Sequence, residues 1–130
     1  MKRKTEESIQ IAVCNYIRLQ HPSVLFICDV ASGMKLTIGQ AVKAQRMRKG
    51  RGWPDIFIAQ KSGDRCGLFI ELKKEGTVIW NKDGTIRKDD HLIEQGMMHE
   101  WLTSRGYQAQ FAIGFDEAKQ IIDNYLNEGI

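Results

Sequence analysis

The sequence predicts an α/β fold: a mixed sheet of about four principal strands with helices on both sides. Three observations predict it. Segments with apolar residues at helical spacing and short β-rich runs follow one another in the order helix, strand, basic segment, strand, strand, small hairpin, helix, strand, helix. Two of the runs, Ile56-Phe57-Ile58-Ala59 and Leu68-Phe69-Ile70-Glu71-Leu72-Lys73, flank a polar, turn-like segment around Gly63. The chain has 130 residues, 42% of them hydrophobic, enough for one ordinary domain with its own core. No repeat, low-complexity stretch or internal boundary interrupts it, so residues 1–130 are expected to form a single domain.

Thr5 is the expected N-cap of the first helix, with Glu6 and Glu7 in its first turn. Ile9, Ala12, Val13, Tyr16 and Ile17 form its apolar stripe as far as Gln20, and His21-Pro22 ends it. Glu6 lies about 50° from the centre of that stripe and Glu7 about 150° away, so Glu6 faces the core edge. Gln10 flanks the same side. Residues 23–30 read as the first strand and 31–34 as a loop. Residues 37–49 suit a short helix or an ordered loop, with Gly39 weakening the helix. After the central hairpin, residues 77–88 contain Asp83-Gly84, a hairpin turn signal, and carry Trp80. Trp80 is expected either to pack on the body or to stand ready for a base or a partner. Asp89 or Asp90 caps the next helix, which runs to about Arg105. Leu92, Met97, Met98, Trp101 and Leu102 lie on or near its apolar side, and Gly106 closes it. Residues 107–113 alternate as a strand. Asp116 opens a last helix with Ala118, Ile121, Ile122, Tyr125 and Leu126 on its apolar face.

The central hairpin carries the chemistry. Centring it on Gly63 sets Asp55 opposite Glu71, with Cβ atoms roughly 5 Å apart. Lys73, two residues after Glu71, shares its face, while Leu72 points to the other. Two carboxylates and a lysine would then meet at one end of a sheet. Such carboxylates repel unless a cation sits between them, and a hard divalent ion such as Mg²⁺ removes the conflict. The competing reading is a set of solvated charges on an edge strand.

The charge is uneven. Residues 1–51 hold ten Lys/Arg and three acids, whereas residues 52–130 hold nine and thirteen. Lys35, Lys43, Arg46, Arg48, Lys49 and Arg51 fall just before Asp55 and suit contacts to backbone phosphates of a polyanion. No apolar run approaches the roughly 20 residues of a membrane span, and the basic start lacks the apolar segment of a signal peptide. Cys14, Cys28 and Cys66 suggest neither a disulfide framework nor a zinc site, which fits a reducing, cytoplasmic setting. His21, His91 and His99 lack metal-ligand spacing with any cysteine and read as surface or packing residues.

Trp53-Pro54-Asp55 with Glu71-Leu72-Lys73 resembles the PD-(D/E)xK nuclease signature. The whole chain, from Glu6 to Leu126, resembles the VRR-NUC group, virus-type replication-repair nucleases of stand-alone phage or bacterial type. The resemblance rests on Glu6, Ile9 and Gln10, on residues 51–55 and 67–74, on Glu94-Gln95, on Gly106-Tyr107 and on residues 115–118. Residues 77–88 depart from it as a hairpin insertion. The resemblance implies a restriction-endonuclease-like fold and hydrolysis of DNA phosphodiesters with Mg²⁺ or Mn²⁺. It implies Asp55, Glu71 and the Leu72 backbone carbonyl as metal ligands, with Glu6 as a further candidate. Lys73 would position water or stabilise the transition state, and Gln95 would support the site. It further implies a homodimer acting on branched DNA such as four-way junctions. A nicking or restriction-like enzyme on plain duplex, or a DNA-binding module that does not cut, remain the alternatives.

Overall fold

The computed structural model describes residues 5–29 and 35–127. Eight elements follow in order: α1 (Glu6–Gln20), β1 (Phe26–Cys28), α2 (Ile38–Arg46), β2 (Ile56–Ile58), β3 (Leu68–Lys73), α3 (Asp90–Ser104), β4 (Gln108–Ile113) and α4 (Gly114–Asn127). The strands form one mixed sheet in the order β1-β2-β3-β4. β1–β2 and β2–β3 are antiparallel, and β4 joins β3 in parallel. The α/β class, the mixed four-stranded sheet and the helices on both faces are as the sequence predicts.

The strand period divides the sheet into two faces. Leu68, Ile70 and Leu72 of β3, with Ile56 and Ile58 of β2, bury against Ile9, Val13 and Ile17 of α1 and Ala118, Ile122 and Tyr125 of α4. Phe69, Glu71 and Lys73 point to the other face, where α3 packs along β4. There Ile79 of the 77–88 segment, Leu92 and Phe111 form a second small core. α1 begins where expected, with the Thr5 hydroxyl accepting from the Ser8 amide at 3.1 Å. The Asp89 carboxylate caps α3 in the same way through the Leu92 amide.

Several expectations are corrected. The first strand is only Phe26–Cys28; Pro22 and Ser23 are taken up in a turn that Val24 closes by donating to the His21 carbonyl at 3.0 Å. Val30 and the 31–34 loop fall outside the described residues. Residues 37–49 resolve to the helix α2, whose reciprocal Thr37–Gln40 capping box outweighs Gly39. The 77–88 hairpin reduces to the single bridge Trp80–Ile86, too short for strands. α4 starts two residues earlier than expected, directly from β4. Met97 and Trp101 do not join the inward face of α3: both are about half exposed.

Candidate active site

The β2–β3 register pairs Ile56 with Ile70, Phe57 with Phe69 and Ile58 with Leu68. Extended one step, it sets Asp55 opposite Glu71, the pairing that symmetry about Gly63 predicts. Asp55 sits just before β2, and both carboxylates are buried. The Leu72 amide donates to Asp55 Oδ2 at 2.7 Å. The amide and carbonyl of one strand residue point to the same edge, so the Leu72 carbonyl also faces Asp55. Lys73 Nζ lies 3.9 Å from Glu71 Oε1. Gln95, on the inner side of α3, donates from Nε2 to the same Glu71 oxygen.

Glu71 Oε2 is buried with no hydrogen-bond partner among the described residues. Burial holds the Glu71 carboxyl up to about 10, the neighbouring Asp55 adds to this, Lys73 opposes it, and the charge of Glu6 contributes last. A buried carboxylate oxygen without a partner among the described residues, beside a second carboxylate and a strand carbonyl, fits a hard divalent cation with oxygen ligands. Among the described residues no three His, Cys, Asp or Glu side chains converge as a metal-binding group. The donors to hand are therefore two carboxylates and main chain. Glu6, half-buried at the start of α1, stands outside that pair and acts on it through its charge.

The segment before Asp55 is anchored to α3. Gly52 passes so close to Glu94 and Gln95 that a Cβ there would meet backbone atoms. The Trp53 indole donates to the Lys49 carbonyl at 2.7 Å, and its ring lies 6.1 Å from that of Phe69. Between this segment, α2 and α3 runs a cleft of about 400 Å³ that reaches Asp55, Glu71 and Gln95. Of the six basic residues proposed for phosphate contact, Arg48 and Arg51 line the cleft. Arg48 pairs with Asp29 at 3.4 Å, and Arg51 lies 3.9 Å from Glu94. Lys35, Lys43, Arg46 and Lys49 are exposed and outside the cleft lining.

Two residues at the site escaped the sequence reading. Asp29 donates its amide to the Asp55 carbonyl at 2.8 Å and carries the carboxylate that Arg48 pairs with. His99 is buried, with its ring 4.5 Å from Phe111, the residue paired with Glu71 on β4. Both had a signal: Asp29 ends a β-rich run, and His99 lies one helical turn after Gln95, on the same face.

These features define an α/β protein with a nuclease fold, its carboxylate pair gathered at the end of an antiparallel hairpin. No protein-family model matches the sequence, and no curated protein matches it significantly. Solved structures do. One described as "VRR_NUC domain protein" superposes with a TM-score of 0.69 at 26% identity, over 99% of this chain and 93% of its own. A second, "VRR_NUC domain", gives a TM-score of 0.48 at 18% identity over 90% of this chain and 97% of its own. In fold, the chain is similar to the first of these, a VRR-NUC domain protein, over nearly its whole length. No helix of the described residues is long and apolar enough to cross a membrane.

Proposed function

We propose that this protein is a metal-dependent DNA endonuclease that hydrolyses phosphodiester bonds, acting as a homodimer on branched DNA such as four-way junctions. The observation that carries the reading is Glu71: a buried carboxyl group beside Asp55, Lys73 and Gln95, with one oxygen that has no hydrogen-bond partner among the described residues. Burying two neighbouring carboxyl groups costs stability even with Lys73 and Gln95 beside them, so the fold alone gives no reason for the cluster.

Asp55, Glu71 and the Leu72 carbonyl would hold Mg²⁺ or Mn²⁺, which supplies Lewis-acid charge at the scissile phosphate and lowers the pKa of water there. The residues divide the remaining work. Asp55 is fixed by the Leu72 amide and Glu71 by Gln95, so both carboxylates are preorganised. Lys73 presents its ammonium on the Glu71 side, where it orients the attacking water and offsets charge building on the phosphate oxygens. Glu6, at the edge of the pair, is suited to hold a water. Arg48 and Arg51 exchange their carboxylate partners for phosphates when DNA enters the cleft, and the four exposed basic residues extend that contact outward. A cleft continued by exposed basic residues suits bent or branched DNA, and two incisions across one junction call for two copies.

The test is incubation with four-way junction, flap, duplex and single-stranded DNA in Mg²⁺, alongside Asp55→Ala. Cleavage of the junction by the wild type and none by the variant is the expected result. Equal cleavage by both proteins would overturn the site assignment, and cutting of plain duplex alone would overturn the junction preference.

A further inference from the structure

Spacing in sequence gives no reason to pair any two cysteines, yet the fold brings two of them together. Cys14 lies in the middle of α1 and Cys28 ends β1, and both are free, half-buried thiols. Alternation along β1 turns Phe26 and Cys28 inward against the main core and leaves Ile27 exposed. α1 crosses that inner side, with the Arg18 guanidinium 5.4 Å from the centre of the Phe26 ring. One turn back along α1 covers about 6 Å. Two residues onward along β1 cover about 6.6 Å. With the two elements running in opposite directions, the register that sets Arg18 over Phe26 sets Cys14 against Cys28, and their thiols share a hydrogen bond.

A zinc ion takes four ligands, and among the described residues no third His, Cys, Asp or Glu converges with this pair. Two touching thiols without further ligands are suited to join each other. Their surroundings also give them different parts. The hydrogen bond from Cys28 holds the Cys14 thiol down to about 7; burial opposes this and the charge of Arg18 adds to it. The same bond and burial push the Cys28 thiol up, and the charges of Asp55 and Asp29 add to the rise. Cys14 is the thiol that ionises and attacks, and Cys28 the one that follows.

We propose that Cys14 and Cys28 form a reversible redox site, in which a hydroperoxide-class oxidant joins them as a disulfide that ties β1 to α1. The Cys14 thiolate attacks one oxygen of hydrogen peroxide, breaking the O–O bond and releasing hydroxide, and becomes a sulfenic acid. The Cys28 sulfur then attacks the Cys14 sulfur, forming S–S and releasing water. In sum, two thiols and one peroxide give one disulfide and two waters; the sulfurs lose two electrons and the peroxide oxygens gain them. The tie falls on a strand with little else to hold it. β1 is an edge strand with three paired residues, and the Asp29 amide that follows it donates to the Asp55 carbonyl. The redox state of the pair therefore sets how firmly the main chain at Asp55 is held from this side.

The test uses Cys66→Ser, which removes the exposed third thiol and its intermolecular disulfides. Hydrogen peroxide is added to the folded chain and to the chain in urea, and each is followed by alkylation and intact mass. The folded chain is expected to lose both alkylatable thiols together and about 2 Da, and to regain them with dithiothreitol. Trypsin should release residues 5–18 joined to residues 19–35. Joining should be faster folded than in urea, because the fold has already brought the thiols together. In the oxidised chain the Asp29 amide, followed by NMR, should exchange with solvent more slowly than in the reduced one. Thiols that stay alkylatable, or that oxidise to sulfinic acids without a cross-link, would overturn the proposal. So would joining no faster in the folded chain than in urea. Equal exchange of the Asp29 amide in both states would overturn the tie to β1. None of these readouts involves DNA, so the redox site stands or falls apart from the nuclease reading.

Discussion

Gly52→Ala probes how the Asp55 segment is held against α3. Gly52 has φ +80°, and an added Cβ would stand 2.7 Å from the Glu94 carbonyl oxygen, 2.8 Å from its carbon and 2.9 Å from Gln95 Cα. All three are backbone atoms, so no side chain can swing aside. Relaxing those contacts to ordinary separation needs about half an ångström or more of relative movement. The left-handed conformation costs an alanine roughly 1 to 2 kcal/mol, and forced overpacking adds about 1 to 3 kcal/mol. At about 4 °C per kcal/mol for a chain of this size, melting should fall by roughly 10 °C. The movement also separates Asp55, three residues on, from Gln95, which holds Glu71. Misplacement on that scale should slow cleavage about 10- to 100-fold. Gly63→Ala is the control. Gly63 has φ +59°, and a Cβ added there would meet nothing within 4 Å, so only the backbone cost of about 1 kcal/mol applies and cleavage should be unchanged. Melting by calorimetry and cleavage of labelled junction DNA would be measured for both. If Gly52→Ala melts and cuts as Gly63→Ala does, close approach to α3 is not what positions the site.

Other outcomes follow from the same geometry. Asp55→Ala and Lys73→Ala should each keep the fold and abolish cleavage in Mg²⁺ or Mn²⁺; a normal rate from either would remove that residue from the chemistry. EDTA should abolish cleavage while leaving DNA binding through residues 35–51 largely intact, as read by fluorescence anisotropy; loss of binding in parallel would argue against a basic arm that works independently of the metal. Thr37→Ala breaks the capping box of α2, a helix with no buried residue. It should leave global melting unchanged and weaken DNA affinity about fivefold, from a cap worth about 1 kcal/mol; a large drop in melting temperature would mean α2 is packed after all. Burial, helped by Lys73, holds the His99 imidazole down to about 4 from an ordinary 6.5. Its neutral form is favoured in the fold, so its contribution is fully present above pH 6.5 and is lost as pH falls toward 4, by about 3 kcal/mol in total. Chemical denaturation of His99→Phe between pH 7 and 4 should show that slope removed; an unchanged slope would place the pH sensitivity elsewhere.

Local sequence determined a great deal. Turn symmetry about Gly63 and the two-residue strand period set Asp55 opposite Glu71 and put Lys73 beside it, because both rules act over a few residues of adjoining chain. Thr5, Asp89 and the apolar spacings marked α1, α3 and α4 within two residues. Tertiary structure decided what depends on packing between distant segments. Gln95 reaches Glu71 only because α3 lies across that face of the sheet, a contact spanning 24 residues of sequence. Arg48 and Arg51 read as free cations in sequence, yet the cleft sets them against Asp29 and Glu94. The first strand is short because its edge position leaves only three residues paired with β2. Met97 and Trp101 belong to no buried face, because helical spacing reveals that a helix is apolar but not which of its sides the sheet covers. That last distinction, between residues buried by this chain and residues left over, comes only from the assembled fold.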